Sequence, residues 1–186
     1  RPIFIHQNPK PIQNSRLFTN TGTVIGAYDP NDKLVEPAQL TETSAEQLPE
    51  LIYTVRFQNT GNFPADFVVI RDTLSPDFDL STFRLLGSSY PCTWEALSGQ
   101  ILLVHFDDIL LPDSLSDPQG SQGFVQFAIR PKSAVAAGHV FCNVADSYFD
   151  FNPPIRTNTA ETKVLYFTPN PGPPNPARAS AFGPTR

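Results

Sequence analysis

The sequence predicts an all-β protein, an antiparallel sandwich of about seven to nine short strands with an extended arm at each end. Three observations carry this. Twenty prolines in 186 residues break the chain into short segments and leave no room for long helices. Fifteen phenylalanines and many β-branched residues fill those segments, as pleated, half-buried strands require. Apolar residues recur with period two between turn signals, at the spacing of a sandwich rather than of alternating strand and helix.

Each segment can be justified in order. Residues 1–22 form an arm interrupted by Pro2, Pro9 and Pro11, with Ile3, Phe4, Ile5, Leu17 and Phe18 as its apolar anchors. The sandwich body is assigned to 23–167. It opens with "TVIGAYDPNDK" (23–33), a short strand closed by an Asp-Pro-Asn-Asp turn. Residues 34–50 are acidic and polar, and read as a loop or a turn of helix near 43–48. "LIYTVRFQNTG" (51–61) alternates cleanly, with Leu51, Tyr53, Val55 and Phe57 inward. "ADFVVIRDTL" (65–74) is apolar on both faces at its centre, the mark of a central strand.

In "STFRLLGSSYPCTWEAL" (81–97) a strand breaks at Pro91 and a short second piece follows. "QILLVHF" (100–106) turns Leu102, Val104 and Phe106 inward, and the loop 107–122 has a small anchor at Ile109–Leu111. "GFVQFAIRPK" (123–132) places Val125, Phe127 and Ile129 inward, and "HVFCNVADSYF" (139–149) places Val140, Cys142 and Val144 on one face. In "YFDFNPPIRTN" (148–158), Asp150 and Asn152 favour Asx turns and Pro153–Pro154 stop further pairing. That segment reads as a corner anchored by Tyr148, Phe149 and Phe151, aiming the last strand, 158–167. Residues 168–186 are a Pro-rich tail that cannot build a core.

Composition narrows the function. The net charge is −5 and no basic run occurs, so nucleic acid is not an expected partner. The apolar runs are far shorter than the ~20 residues of a membrane helix, so membrane insertion is not expected. The chain begins at Arg1 and contains no methionine, and reads as a processed or excised piece. Cys92 and Cys142 read as one disulfide of an oxidising compartment. Closing about 50 residues, it would contribute roughly 4 kcal/mol on the chain-entropy model.

Five phrases occur together and in order: "VIGAYDPNDK" (24–33), "YTVRFQNTG" (53–61), "VVIRDTLSPDFDLSTFRLLGSSYP" (68–91), "GFVQFAIRPK" (123–132) and "YFDFNPPIRTNT" (148–159). The set resembles a conserved Ig-like β-sandwich domain found near the C-termini of large secreted Bacteroidota proteins, just before the sorting domain of type IX secretion. The likeness covers roughly 23–165, and "YFTPNPGPPNPA" (166–177) faintly resembles the opening of such a sorting domain. The resemblance implies a secreted, cell-surface module with no enzymatic activity to carry over. The cysteine pair is not part of that family's pattern.

Candidate sites are few. Asp29, Asn31 and Asp32 in one corner, with Asp150 and Asn152 in another, supply the hard oxygens that Ca²⁺ takes, although the "DPNDK" turn lacks a complete calcium loop. The corner reading needs no metal, and no other cofactor is expected. Lys33 and Asn158 resemble the placement of the partners of an intramolecular isopeptide bond in some Gram-positive pilin modules, a chemistry that needs a buried acid beside a desolvated lysine. Tyr90 and Trp94 could form a carbohydrate platform, against the plainer reading of core aromatics. His6, His105 and His139 are scattered, and no nucleophile elbow, phosphate loop or dinucleotide fingerprint occurs.

The expected function is therefore structural. In one reading the chain is a subunit of an extracellular filament, self-associating as Ile3–Ile5 of the arm, or the tail strand with Val164 and Tyr166, completes a neighbour's sheet. In the other it is a spacer beside neighbouring domains of one parent protein. A glycan- or protein-binding module is the further alternative.

Overall fold

The computed structural model describes residues 30–41 and 49–166. All of its regular elements are strands: β1 (Asp32–Glu36), β2 (Gln39–Thr41), β3 (Leu51–Gln58), β4 (Val68–Thr73), β5 (Phe78–Ser88), β6 (Thr93–Leu97), β7 (Ile101–Phe106), β8 (Gln122–Pro131), β9 (Val140–Phe149), β10 (Ile155–Arg156) and β11 (Ala160–Leu165). One sheet has the order β1-β3-β8-β5, and the other the order β2-β11-β9-β4-β7-β6 with β10 added on β9. The predicted sandwich is what the chain forms. β2 and β10 lie in segments read as loop and corner, and both are too short to show a period. The arm anchors Ile3, Phe4, Ile5, Leu17 and Phe18, together with Asp29 and the tail, fall outside the described residues.

The inward faces follow the alternation on β3, β7 and β8. Leu51, Tyr53, Val55 and Phe57 are buried, and so are Leu102, Val104, Phe106, Val125, Phe127 and Ile129. Rings fill the space between the sheets: Tyr53 stacks on Phe127 at 5.5 Å and Phe78 on Phe141 at 5.3 Å. On β9 Val140, Cys142 and Val144 share a face as read, but that face is the outer one. Phe141, Asn143 and Ala145 face the core, while Val140 and Cys142 face outward. Phe141 decides this, because a buried phenylalanine removes more apolar surface from water than a valine or a cysteine.

Different strands reach the two poles of the sandwich. The end of β3 and the start of β4 meet at Leu111, whose carbonyl accepts hydrogen bonds from Asn59 Nδ2 (3.1 Å) and Ala65 N (2.9 Å). β1 starts at that pole, with Asp32 opposite Arg56. β9 runs toward it, since Phe149 lies opposite Val68. β11 runs back the other way, from Ala160 opposite Asn143 to Lys163 opposite Val140. The described body is thus entered at one pole and left at the other. β2 and β11 pair in parallel at the exit.

The corner "YFDFNPPIRTN" is held by its acid more than by its rings. Asp150, in a left-handed conformation (φ 51°), accepts hydrogen bonds from Asp66 N and Phe67 N at 2.8 and 3.0 Å. Phe149 is buried, but Phe151 is almost wholly exposed, and its ring meets that of Phe67 edge to face at 5.3 Å. It is therefore not the core anchor the sequence suggested.

Beyond the corner, Arg156 on β10 donates to both carboxylate oxygens of Asp146 on β9, at 2.8 and 3.0 Å, and holds its pKa below the ordinary carboxylate range. A depressed folded-state pKa adds stability above the unfolded value, and that stability is lost as pH falls through the lowered one. Asp146→Asn is expected to cost about 1 kcal/mol at neutral pH, since Arg156 is largely in solvent. The same change should flatten the loss of stability below about pH 4. Urea midpoints at neutral and acid pH for the two chains measure both effects.

A sealed polar cluster between the sheets

Lys33 is the second residue of β1, opposite Val55, so the pleat turns it toward the core. Asp72 occupies the third inward position of β4, after Val68 and Ile70. Both are sealed, at 1% and 0% exposure. The Lys33 ammonium nitrogen and an Asp72 carboxylate oxygen form a close ion pair across the two sheets. Tyr53 and Phe127 wall it in, with their ring centres 4.9 and 5.5 Å from Lys33 Nζ.

A third polar side chain joins them. Asp72 pairs with Ala145, and Asn143 is the adjoining inward residue of β9, a diagonal neighbour on the same face. Asn143 is 2% exposed. Its carboxamide sits near enough to Asp72 to favour the ionised carboxyl, but it is not aligned as a regular hydrogen bond. Neither amide atom of Asn143 has a hydrogen-bond partner, and neither do Asp72 Oδ1, Tyr53 Oη and Ser147 Oγ. Buried polar atoms without partners cost free energy and are rare, so five in one core mark it as unusual.

The electrostatics act in one direction. Burial pushes the Lys33 pKa down, against the opposing pull of the Asp72 charge and hydrogen bond. Burial pushes the Asp72 pKa up, against the pull of Lys33 and Asn143. The Tyr53 phenol is pushed up by burial first and by Asp72 second. Burial thus works against the charged form of each partner, opposed by their attraction for one another, with a carboxamide beside the acid.

The candidate residues read from the sequence fall elsewhere. Asn158 is not at the Lys33 amine. It accepts from Lys33 N (2.9 Å) and donates to Lys33 O (3.0 Å), so its amide stands in for a strand partner and closes the free edge of β1. Sequence reasoning singled out the lysine, but Asn158 meets its backbone rather than its amine, and Asp72, Asn143 and Tyr53 were not singled out.

The described calcium candidates, Asn31, Asp32, Asp150 and Asn152, each make a contact within the chain. Asp32 pairs with Arg56, Asn31 Oδ1 accepts from Gln58 N (3.2 Å), Asp150 holds the backbone of 66 and 67, and Asn152 Nδ2 donates to Phe149 O (3.0 Å). Among the described residues no group of three or more His, Cys, Asp or Glu could hold a metal ion.

Cys92 and Cys142 are both free thiols, which corrects the expected disulfide. Cys142 faces solvent on β9, whereas Cys92 lies just before β6, and β4 and β7 separate those strands in the sheet. Trp94 packs against Phe83 at 4.4 Å, and Tyr90 donates to Gly120 O at 3.0 Å, both partly buried against the core. They do not stand out as an open platform. Val164, read as part of an intersubunit strand, is 2% exposed in its own core, on a strand flanked by β9 and β2. Tyr166, just beyond it, is exposed.

A family model described as a domain of unknown function, DUF7619, matches residues 29–163, nearly the whole described body and most of the chain. The chain belongs to the DUF7619 family. No curated protein matches it. Among solved structures, the DUF7619 domain is similar to the full-length major pilin SpaD of Corynebacterium diphtheriae, with 16% identity and a TM-score of 0.52 over 72% of this chain and 35% of that one. It is also similar to BcpA, the major pilin subunit of Bacillus cereus, at 15% identity, TM-score 0.48, and 72% and 39% coverage. The collagen-binding domain of a Staphylococcus aureus adhesin matches at 9% identity, TM-score 0.42, and 74% and 99% coverage. The chain spans little more than a third of the length of either pilin. The likeness to SpaD is one of fold.

Proposed function

We propose that this chain is a non-enzymatic, in-line structural module of a secreted bacterial surface protein, a spacer that transmits tension between its neighbours on either side. One observation carries the reading: the described body is entered at one pole by β1 and left at the other by β11. A module with that geometry joins neighbours end to end. Its groups with chemical potential support the reading too, because Lys33, Asp72 and Asn143 are sealed from any substrate in solution. The resemblance to Bacteroidota domains placed before a type IX sorting signal, and the likeness in fold to a pilin, agree with a surface location.

The filament reading makes the arms into intersubunit connectors. It relies on Ile3–Ile5, outside the described residues, and on the tail strand, and β11 already has a partner on each side. Light scattering on the full chain, beside one lacking residues 1–22, separates the two. The in-line reading expects monomers of equal stability for both. Open-ended species from the full chain alone would replace it with the filament.

A further inference from the structure

We propose that Lys33 and Asn143 become joined by an intramolecular isopeptide bond, with Asp72 as the group that moves the protons. The inference stands on the geometry of the sealed cluster and holds whether the module is a spacer or a filament subunit.

Both partners meet at one carboxyl. Lys33 Nζ is bonded to Asp72, and the Asn143 carboxamide lies against the same group from the neighbouring strand. No water or substrate needs to enter, because the nucleophile and the electrophile both belong to the chain. Neither amide atom of Asn143 makes a regular hydrogen bond, a cost left unexplained in a purely structural core, and no other partner holds the carboxamide away from Asp72. Holding amine and carboxamide at one buried carboxyl supplies the effective concentration that aminolysis of an amide lacks in water.

The step balances without oxidant or cofactor. The neutral Lys33 amine adds to Cγ of Asn143, and the protonated Asp72 carboxyl donates a hydrogen bond to the developing oxyanion. Asp72 then passes a proton from Nζ to Nδ2. The Nζ–Cγ bond forms, the Cγ–Nδ2 bond breaks, and one ammonia leaves. Burial favours both neutral forms that the step requires. The product ties β1 in one sheet to β9 in the other, and β9 is hydrogen-bonded to the exit strand β11.

The test is the intact mass of the folded full chain by electrospray. The expected mass is lower than the sequence mass by one ammonia. Digestion with trypsin should fail to cut after Lys33 and should yield a branched peptide joining the segments around Lys33 and Asn143. Lys33→Arg and Asp72→Ala are each expected to restore the full mass. A folded chain at full sequence mass overturns the proposal, and the unsubstituted protein alone decides that point. A missing ammonia that persists in Lys33→Arg, or that maps to another asparagine, also overturns it, since a succinimide would then account for the loss.

Discussion

Lys33→Met is expected to lower the unfolding free energy by about 3–5 kcal/mol, because it leaves a fully buried carboxyl with no counter-charge. Urea unfolding should show a lower midpoint, with a steeper slope because the variant's denatured state is no longer held compact by the cross-link. The pH dependence has a definite sign. Asp72 already has a raised pKa, and losing Lys33 removes the largest influence holding it down. A group raised in the folded state contributes stability that is full below its unfolded value and is lost as pH rises through the folded one. The variant should therefore fall furthest below the parent at neutral and alkaline pH, and the gap should narrow toward about pH 4.

The double variant Lys33→Met with Asp72→Leu removes the stranded acid and is expected to recover much of the loss. The cross-link, roughly 4–5 kcal/mol for a closed loop of about 100 residues on the chain-entropy model used for disulfides, would be lost on top of that charge penalty in both variants, and is the part the double variant does not recover. A Lys33→Met chain within about 1 kcal/mol of the parent at pH 7 would show that the pair is not desolvated.

Much of the body was legible, for reasons that particular residues make plain. β3, β7 and β8 each place large apolar side chains on one face and polar ones on the other, so period two alone fixes their orientation. β9 offered two plausible apolar stripes, and only the size of Phe141 and the sheet partner of Ala145 choose between them. The polar cluster was legible in half. Lys33 sits beside a turn, where a lysine is normally solvated. Asp72 was the better signal, since "VVIRDTL" carries an acid at the same parity as Val68 and Ile70. Had β9 been read with Phe141 inward, Asn143 would have stood inward beside it. Asn158 attracted attention by its place near the last strand, but a side chain in that position can serve a backbone edge as readily as an amine. The cysteine pair misled because spacing says nothing about which face of a sheet each thiol occupies.

Gly123→Ala is expected to destabilise the chain by about 1–3 kcal/mol through overpacking. Gly123 lies directly opposite Phe57 in the β3–β8 pair, and the Phe57 ring lies over it. A Cβ at residue 123 would come within 2.3 Å of Phe57 Cε2 and Cζ, and 3.1 Å of Cε1. The ring has little room to retreat, because Phe106 and Phe149 hold it with centroids at 5.1 and 6.3 Å. Phe57→Leu shortens the side chain at its own cost of a few kcal/mol. If the clash is the cause, the double variant should lose less than the sum of the two single losses, with a coupling of roughly 0.5–3 kcal/mol. Strict additivity would mean that the glycine is required for backbone reasons instead. The comparison also separates packing from chemistry in the core: Gly123→Ala and Lys33→Met should both weaken the fold, but only the second should change the number of ammonia molecules missing from the intact mass.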